Sequence, residues 1–358
     1  MKYILKLTAI TCILMSFGAC ENKAKKTEPI ENNGMVLDTI PRVETPDPDE
    51  IALTDKITAN PDDAELFYNR ADLYLKKSQL DKAVFDIEKA VELNPNNKLY
   101  WLKLGEISFI NNKLQRAEEA YNKAISIDKD YEDAYYALGN FHYLMRDYNK
   151  SNAALDKLLI INKNNAKAYY LKGRNYMESN DSTQAVNNFL KAVKINNDDI
   201  ESYTLLARFY ADRNSLKAIP YYDNAIRINP KSSEIYYAKG MLYQQKGLNK
   251  DAVIQYNKMI ELDPTNTLPY YNIGYINFQM ENRPVAIEAF TKCVEINGKY
   301  YEAYYMRGLC YEMDRKILEA VEDYKRALTI NPDYELAKEG FLRIDKRRIS
   351  PKQKKENK

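Results

Sequence analysis

The sequence has few of the residues from which catalytic and metal sites are usually built. Its 358 residues include a single histidine, His142, and four cysteines. It contains no glycine-rich phosphate loop, no HExxH zinc motif, no CxxC pair and no GxSxG elbow. Carboxylates are numerous, but they are scattered along the chain. These absences argue against an enzyme, and they predict neither a metal site, nor a cofactor, nor a small-molecule substrate.

The charge balance does not point to nucleic acid. The chain has 53 basic and 51 acidic residues, a formal net charge of +2. Lys2 and Lys6 at the extreme N-terminus account for that excess, so the chain from Cys20 onward is formally neutral. Proteins that bind nucleic acid usually concentrate positive charge. We therefore expect no nucleic-acid partner.

The first nineteen residues resemble a bacterial lipoprotein signal peptide. A short basic start precedes an apolar run, Leu7 to Ala19, which is too short to span a bilayer. The run ends Ser16-Phe17-Gly18-Ala19-Cys20, similar to a lipobox, in which the cysteine receives lipid. Phe17 departs from the leucine preferred there, and an ordinary secretory signal is the alternative. Glu21 is not the aspartate associated with inner-membrane retention in some bacteria, so the resemblance favours the outer membrane.

Residues 20–48 have the composition of a flexible tether. Lys, Glu, Asn, Thr and Pro dominate, and apolar side chains are too few to bury a core. A chain of roughly 28 such residues has a mean reach on the order of 30 Å. That reach would hold a folded part clear of a membrane surface.

One pattern of about 34 residues repeats through the remainder of the chain. Its clearest copy starts at Tyr301 and places Tyr304, Gly308, Tyr311, Ala320, Tyr324, Ala327 and Pro332 at positions 4, 8, 11, 20, 24, 27 and 32. The first three residues have the spacing of one face of a helix A, and the next three form the facing side of a helix B. Gly308 and Ala320 are small enough for the helices to approach closely, and Pro332 ends helix B.

This pattern resembles the tetratricopeptide repeat (TPR), although Arg307 stands where that family usually has leucine. Seven earlier copies begin at Ala64, Lys98, Glu132, Ala166, Ile200, Ser233 and Thr267. The resemblance implies an all-α TPR solenoid, a right-handed superhelix of about eight helix–turn–helix repeats over residues 64–332. Apolar residues predict capping helices at 49–63 and 333–347. Residues 348–358 read as a basic disordered tail, either solvated or in contact with an anionic surface.

Unit five departs from the common register. Its Ala218, Tyr222 and Ala225 arrive one position early, which predicts a shorter turn between its two helices. Pro220 then falls in the first turns of helix B, where it removes a hydrogen bond unless the helix starts late. Elsewhere, His142 occupies a core position. Two cysteines, Cys293 and Cys310, occupy small-residue positions of adjacent units, as buried free thiols or as a disulfide.

The resemblance also implies a binding surface, because the A helices of TPR proteins line a concave groove. Position 5 of helix A is tyrosine in six units, and position 9 is arginine in units four and five. The predicted groove residues are Tyr68, Tyr136, Tyr170, Arg174, Arg208, Tyr237, Tyr271, Tyr275 and Tyr305, with Tyr143 and Phe278 beside them. We expect the tyrosines at position 5 to be exposed. Those at position 4, Tyr135, Tyr169, Tyr236 and Tyr270, should be mostly buried.

The resemblance implies a scaffold or adaptor that is anchored to a membrane and binds proteins or peptides in its groove. It is similar to the TPR lipoproteins that organise outer-membrane assembly, secretion or peptidoglycan enzymes. The alternative is a periplasmic receptor or chaperone for exported polypeptides, which would bind many peptides weakly. A third possibility, an envelope hydrolase, lacks a catalytic cluster. The clamp by which TPR co-chaperones hold a C-terminal carboxylate needs Lys and Asn at positions 5 and 9 of one unit, and no unit has that pair.

Cys20→Ser tests the lipobox. The substitution removes the thiol that would receive diacylglyceryl, so we expect an unprocessed precursor that incorporates no labelled fatty acid. Metabolic labelling with an alkyne palmitate, followed by immunoprecipitation, measures this directly. A Cys20→Ser chain that is processed and labelled like the parent would contradict the lipobox and favour an ordinary secretory signal.

Overall fold

The structure, a computed structural model, describes residues 47–356, with side chains through residue 345. Cys20 and nearly all of the predicted tether lie outside the described residues. Within that range the chain forms eighteen α-helices and a short 3-10 helix, and no strand. No helix in this part of the chain is long and apolar enough to cross a membrane. The prediction of an all-α solenoid of eight helix pairs with helical caps is confirmed.

The helices fall into the predicted pairs. The A helices are α2 (Ala64–Lys76), α4 (Lys98–Ile110), α6 (Glu132–Leu144), α8 (Ala166–Glu178), α10 (Ile200–Ala211), α12 (Ser233–Gln245), α14 (Thr267–Gln279) and α16 (Tyr301–Met313). The B helices are α3 (Leu80–Leu93), α5 (Leu114–Ile127), α7 (Tyr148–Ile161), α9 (Ser182–Ile195), α11 (Ile219–Ile228), α13 (Asn249–Leu262), α15 (Arg283–Ile296) and α17 (Ile317–Ile330). The caps are α1 (Pro48–Ala59) and α18 (Glu335–Glu356). Every A helix begins at the residue where its repeat was predicted to begin.

The two helices of a unit meet where a glycine faces an aromatic ring. A Cβ added to Gly173 would lie 2.5 Å from the ring of Phe189, and one added to Gly105 would lie 2.4 Å from the ring of Tyr121. The same contact joins Gly240 to Tyr256, Gly274 to Phe290 and Gly308 to Tyr324. These rings are buried and form the centre of each unit's core. The close approach therefore depends on the missing side chain at position 8.

Successive units stack so that the A helices form an inner face. Each helix B packs against helix A of the next unit. Some A helices also contact each other directly: α4 contacts α6, and α6 contacts α8. Among the described helices, no two successive B helices approach to a comparable extent. The A helices therefore lie closer together than the B helices. We call the side that they line the inner face.

The same cluster of polar side chains occurs in the first and the last unit. Arg70 donates to both carboxylate oxygens of Asp86, at 2.7 and 2.8 Å, and to the hydroxyl of Thr54 at 3.1 Å. In unit eight the set is Arg307, Asp323 and Thr291, with distances of 2.8, 2.8 and 3.2 Å. Arg307, the departure from the family pattern, is therefore satisfied by a paired and mostly buried carboxylate.

The N-terminal cap is held by Glu50 and by one apolar contact. Glu50 accepts a hydrogen bond from Lys82 at 3.1 Å and one from the hydroxyl of Tyr74 at 2.9 Å. The hydrogen bond from Lys82 keeps the pKa of Glu50 below its usual value. Ile57 is buried, whereas Ile51 is exposed, so the apolar contact of α1 lies near its C-terminal end and its polar contacts lie nearer the start.

The C-terminal cap is longer than predicted. Arg343 of α18 donates to both carboxylate oxygens of Glu312, at 2.8 and 2.7 Å, and Ile344 is buried. The helix then continues to Glu356. The predicted end at residue 347 and the predicted disordered tail at 348–358 are therefore wrong up to that residue. Lys, Arg, Gln and Glu, which are good helix formers, make up most of residues 346–356, and the helix continues although Pro351 lacks a backbone N–H.

The predicted shorter turn in unit five is wrong: four residues separate α10 from the start of its helix B, where three separate α8 from α9, and the missing residue is taken up in helix B. Its helix B is a 3-10 segment, Leu216–Ala218, followed by ten residues of α-helix, where the other B helices have fourteen. Pro220 is the second residue of α11, where its missing N–H removes no helical hydrogen bond. Tyr210 and Tyr221 stack across the unit with ring centroids 5.5 Å apart.

The histidine and the two cysteines are structural. His142 is buried, and burial lowers its pKa, so its imidazole is neutral at pH 7. Cys293 and Cys310 are both buried and free, and burial raises the pKa of each thiol to about 12. A thiol with so high a pKa is a poor nucleophile. Of the two alternatives for the cysteines, the structure shows free thiols.

Gly173→Ala tests the close approach of helices A and B. The new methyl group would overlap the Phe189 ring, so we expect a loss of unfolding free energy of about 1–3 kcal/mol. Gly298→Ala is the control, because the nearest atom to a Cβ there is 4.0 Å away. Urea unfolding monitored by circular dichroism measures both variants. Equal stability of the two variants would contradict this account of the core.

Candidate partner-binding face

The candidate site in the described part of the chain is a surface. The described residues contain no group of three or more His, Cys, Asp or Glu side chains that could hold a metal ion. The predicted site residues all lie on the A helices, apart from Cys20, which lies outside the described range. The inner face is therefore the candidate site.

The prediction that the tyrosines at position 5 are exposed is wrong. Tyr305 is only 6% exposed, and the other five are half-buried. Four of these rings lean against the aromatic ring at position 24 of the same unit. The centroid distances are 6.1 Å for Tyr170–Phe189, 6.2 Å for Tyr237–Tyr256, 5.6 Å for Tyr271–Phe290 and 5.8 Å for Tyr305–Tyr324. Position 5 is therefore part of the core as well as of the inner face.

The other two tyrosines at position 5 also pack on neighbours. The ring of Tyr68 lies 5.2 Å from that of Tyr100 in the next unit. Tyr136 packs with Tyr143 against the buried leucines of unit three, and burial raises its pKa. The rings of Tyr68 and Tyr136 are therefore held in place by their neighbours.

The tyrosines at position 4 have the same intermediate exposure as five of those at position 5. Polar atoms at position 4 face the end of the preceding unit: Trp101 Nε1 donates to the Pro95 carbonyl at 2.7 Å, and the Tyr270 hydroxyl donates to the Pro264 carbonyl at 3.3 Å. The Lys191 ammonium lies 5.2 Å above the ring of Tyr169. A ring with a lysine on one face cannot also be sealed in a core, so the expected contrast between positions 4 and 5 is wrong.

Arg174 forms a cluster with two tyrosines on the inner face. Its Nη1 donates to the hydroxyl of Tyr170 at 3.0 Å, and its Nη2 donates to the hydroxyl of Tyr143 at 2.5 Å. The guanidinium carbon lies 5.3 Å from the ring centroid of Tyr143 and 5.9 Å from that of Tyr170. Burial alone would lower the pKa of Arg174, but the hydrogen bond to Tyr170 and the nearby Tyr143 and Glu178 together outweigh it, and the pKa is raised. We call these three residues the Arg174 cluster.

Arg208 does not share this environment, although it occupies the same position in the next unit. Its side chain is largely exposed, and its Nε lies 3.9 Å from the carboxylate of Asp212. An exposed pair of this kind contributes little to stability. The predicted central basic pair is therefore two different sites: an exposed, paired arginine and a half-buried one that bonds to phenols.

A second group of tyrosines lies in units seven and eight. Tyr271 stacks on Tyr300 with centroids 5.2 Å apart, and Tyr334 meets Tyr301 and Tyr305 edge-on, at 4.9 and 5.4 Å. The predicted Tyr275 is partly buried against the same core.

The sequence reasoning missed Tyr300 and Tyr334, which stand at position 34. In four other units an Asn or Asp at that position caps the next helix with its side chain: Asn97, Asn165, Asp199 and Asn266. Tyrosine cannot cap in this way, and α16 has no side-chain cap. A large ring in place of a capping residue was the signal that could have found these residues.

Comparison with known families agrees with the repeat. Models described as "Tetratricopeptide repeat" match residues 64–97, 166–199, 221–254, 269–300 and 301–334, and one described as "TPR repeat" matches residues 106–145. Together these matches cover more than half of the chain. No curated protein matches.

Solved structures are similar to this chain at low sequence identity, and one of those below has a TM-score above 0.5. The C-terminal part of a TPR repeat-containing protein from Cytophaga hutchinsonii is 18% identical, with a TM-score of 0.57 over 67% of this chain and 98% of that one. Pseudomonas aeruginosa pilF is 18% identical, with a TM-score of 0.47 over 61% of this chain and 97% of that one. YrrB, a TPR protein with an unusual peptide-binding site, is 22% identical, with a TM-score of 0.32 over 61% and 95%. Likeness at this level of identity shows the fold alone.

Tyr305→Ala and Tyr304→Ala test the corrected assignment of these two positions. Tyr305 is buried and Tyr304 is half-buried, so truncating Tyr305 should cost the larger free energy, on the order of 3 kcal/mol. Urea unfolding followed by circular dichroism compares the two variants. A larger loss of unfolding free energy for Tyr304→Ala would contradict the assignment of Tyr305 to the core.

Proposed function

This chain belongs to the tetratricopeptide repeat family, and from that premise we propose that it is a membrane-anchored scaffold of the bacterial cell envelope. It binds protein partners on the inner face of the repeat array and holds them near the membrane. The complexes it serves belong to envelope assembly, secretion or cell-wall synthesis. The proposal assigns it no catalytic step.

The inner face is the observation that carries the binding part of the proposal. Its rings at position 5 are held by the core behind them, so little conformational freedom is lost when a partner covers them. Tyrosine and arginine are also the residue types that dominate protein interfaces, because each combines a large contact area with polar atoms. A rigid face of this composition is suited to a peptide segment or a partner helix.

The anchor part of the proposal rests on the sequence before the described residues. The residues Ser16-Phe17-Gly18-Ala19-Cys20 are similar to a lipobox, and the segment that follows has the composition of a tether. A lipid at Cys20 would place the array at the outer membrane. A scaffold fixed there raises the local concentration of whatever it binds.

Site-specific photo-crosslinking in cells tests the proposal. A photoreactive phenylalanine analogue replaces Leu144 or Met177, which are 47% and 38% exposed on A helices of the inner face. The control positions are Phe85 and Leu318, which are 66% and 72% exposed on B helices. We expect a few discrete cross-linked proteins from the inner positions and not from the control positions, identified by mass spectrometry.

The pattern of cross-links separates the proposal from its alternative. A small set of proteins recovered in constant ratio to the chain supports a scaffold. A broad smear of many exported proteins from the same positions would instead favour a receptor or chaperone. Equal cross-linking from the inner face and from the control positions would contradict the inner face as the binding surface.

A further inference from the structure

Arg174 stands apart in the charge pairing of the array. Eleven lysines and arginines with described side chains are not exposed. Ten of them lie within 4.0 Å of a carboxylate: Arg70, Lys77, Lys89, Lys98, Lys103, Lys172, Lys239, Arg283, Arg307 and Lys338. Arg174 is the eleventh. No ion pair joins it to a described carboxylate, although Glu178 is one helical turn further along α8.

The partners that Arg174 does have are neutral. Its two terminal nitrogens donate to the phenol oxygens of Tyr170 and Tyr143, and its buried Nε–H has no acceptor among the described residues. Arg70 and Arg307 instead donate their Nε–H and one terminal N–H to both oxygens of one carboxylate, Asp86 and Asp323 respectively. The hydrogen-bond partners of the half-buried Arg174 cation are all neutral, and an arriving carboxylate would form strong charge-assisted bonds with it.

Exposed aliphatic side chains flank this charge. Leu144 directly follows Tyr143 on α6, and Met177 lies one turn beyond Arg174 on α8, so it shares a side of the helix with it. Ile110, at the same position of unit two as Leu144 in unit three, is 54% exposed. The Arg174 cluster is thus a positive site between apolar contacts.

We propose that the inner face of units three and four binds a partner segment in which an aspartate or glutamate is flanked by aliphatic residues. The carboxylate bonds to the terminal nitrogens of Arg174, and the aliphatic side chains pack on Leu144 and Met177. This inference rests on the proposed function, whose site and partner class it specifies. The arrangement differs from the co-chaperone clamp, because unit four has Tyr170 and Arg174 where that clamp has lysine and asparagine.

A peptide library with no free C-terminus tests the proposal. Random dodecapeptides displayed on phage, each fused through its C-terminus to the coat protein, are selected on the purified full chain. We expect enrichment of sequences with one fixed acidic position between aliphatic residues. The best sequence is then synthesised with both ends capped, together with its variant in which glutamine or asparagine replaces the acidic residue. Fluorescence anisotropy measures the Kd of each.

Two variants at position 174 and one control complete the design. With Arg174→Met, Kd for the acidic peptide should rise about tenfold or more, whereas the neutral peptide should bind both chains alike. Arg174→Lys retains the charge without the planar fork, so it should retain a preference for the acidic peptide at lower affinity. Arg326→Met is the control. The guanidinium carbon of Arg326 also lies near a tyrosine, 6.0 Å from the ring centroid of Tyr304, but Arg326 is exposed and lies on a B helix. It should leave both Kd values unchanged.

The possible results separate the inference from the proposed function. A selected motif without an acidic position, or one that binds Arg174→Met as tightly as the parent, overturns the inference and leaves peptide binding intact. Enrichment of no sequence counts against both the inference and the binding of segments on the inner face. Added salt should weaken the acidic peptide with the parent chain more than with Arg174→Met. An equal effect of salt on the two would also overturn the role of Arg174.

Discussion

The contact between position 8 of helix A and position 24 of helix B sets the geometry of every unit. Where position 24 carries an aromatic ring in units two, four, six, seven and eight, position 8 is glycine, and a methyl group there would overlap the ring. Unit one has alanine at position 8 and a smaller, aliphatic residue at position 24: Ala71 and Ile87. Unit five is the exception, because Ala207 and the ring of Tyr222 are both buried there. It is also the unit whose helix B begins as a 3-10 segment, so the two departures from the pattern coincide.

The inner face follows from the same contact. Because the position-24 ring reaches across to helix A, it supports the tyrosine at position 5 from behind, and the face that a partner would meet is backed by the core. Sequence reasoning placed the start of every A helix correctly, because glycine, alanine and proline recur at fixed intervals. It failed for Tyr304 and Tyr305, since one residue of helix rotation does not decide which of two adjacent rings the next helix will cover. It also ended α18 too early, because it judged the end of a helix by its apolar residues alone.

Ion pairs between lysine and aspartate link neighbouring units. Lys172 bonds to Asp156, and Lys239 bonds to Asp223 at 2.5 Å, each across the boundary between one unit and the next. These pairs could not be read from the sequence, because the partner lies sixteen residues away on a different helix and many carboxylates are available. The structure resolves the choice and leaves Arg174 with two phenols. The basic pair that the sequence predicted therefore consists of two different residues. Arg208 is exposed and paired with Asp212, whereas Arg174 is half-buried and hydrogen-bonded to two tyrosines.

The matching clusters at the two ends bear on how such arrays can be lengthened or rebuilt. In both, the threonine precedes the arginine by sixteen residues and the arginine precedes the aspartate by sixteen, so α1 presents to unit one the same hydroxyl that unit seven presents to unit eight. Unit eight thus has an arginine, bonded to an aspartate, that could donate to Thr54 of α1 as Arg70 does. A shortened array in which α1 is spliced before Tyr301 would keep one such cluster, Thr54 with Arg307 and Asp323. It would also place Glu50 opposite Glu319, which stands where unit one has Lys82, so that position would need a basic residue.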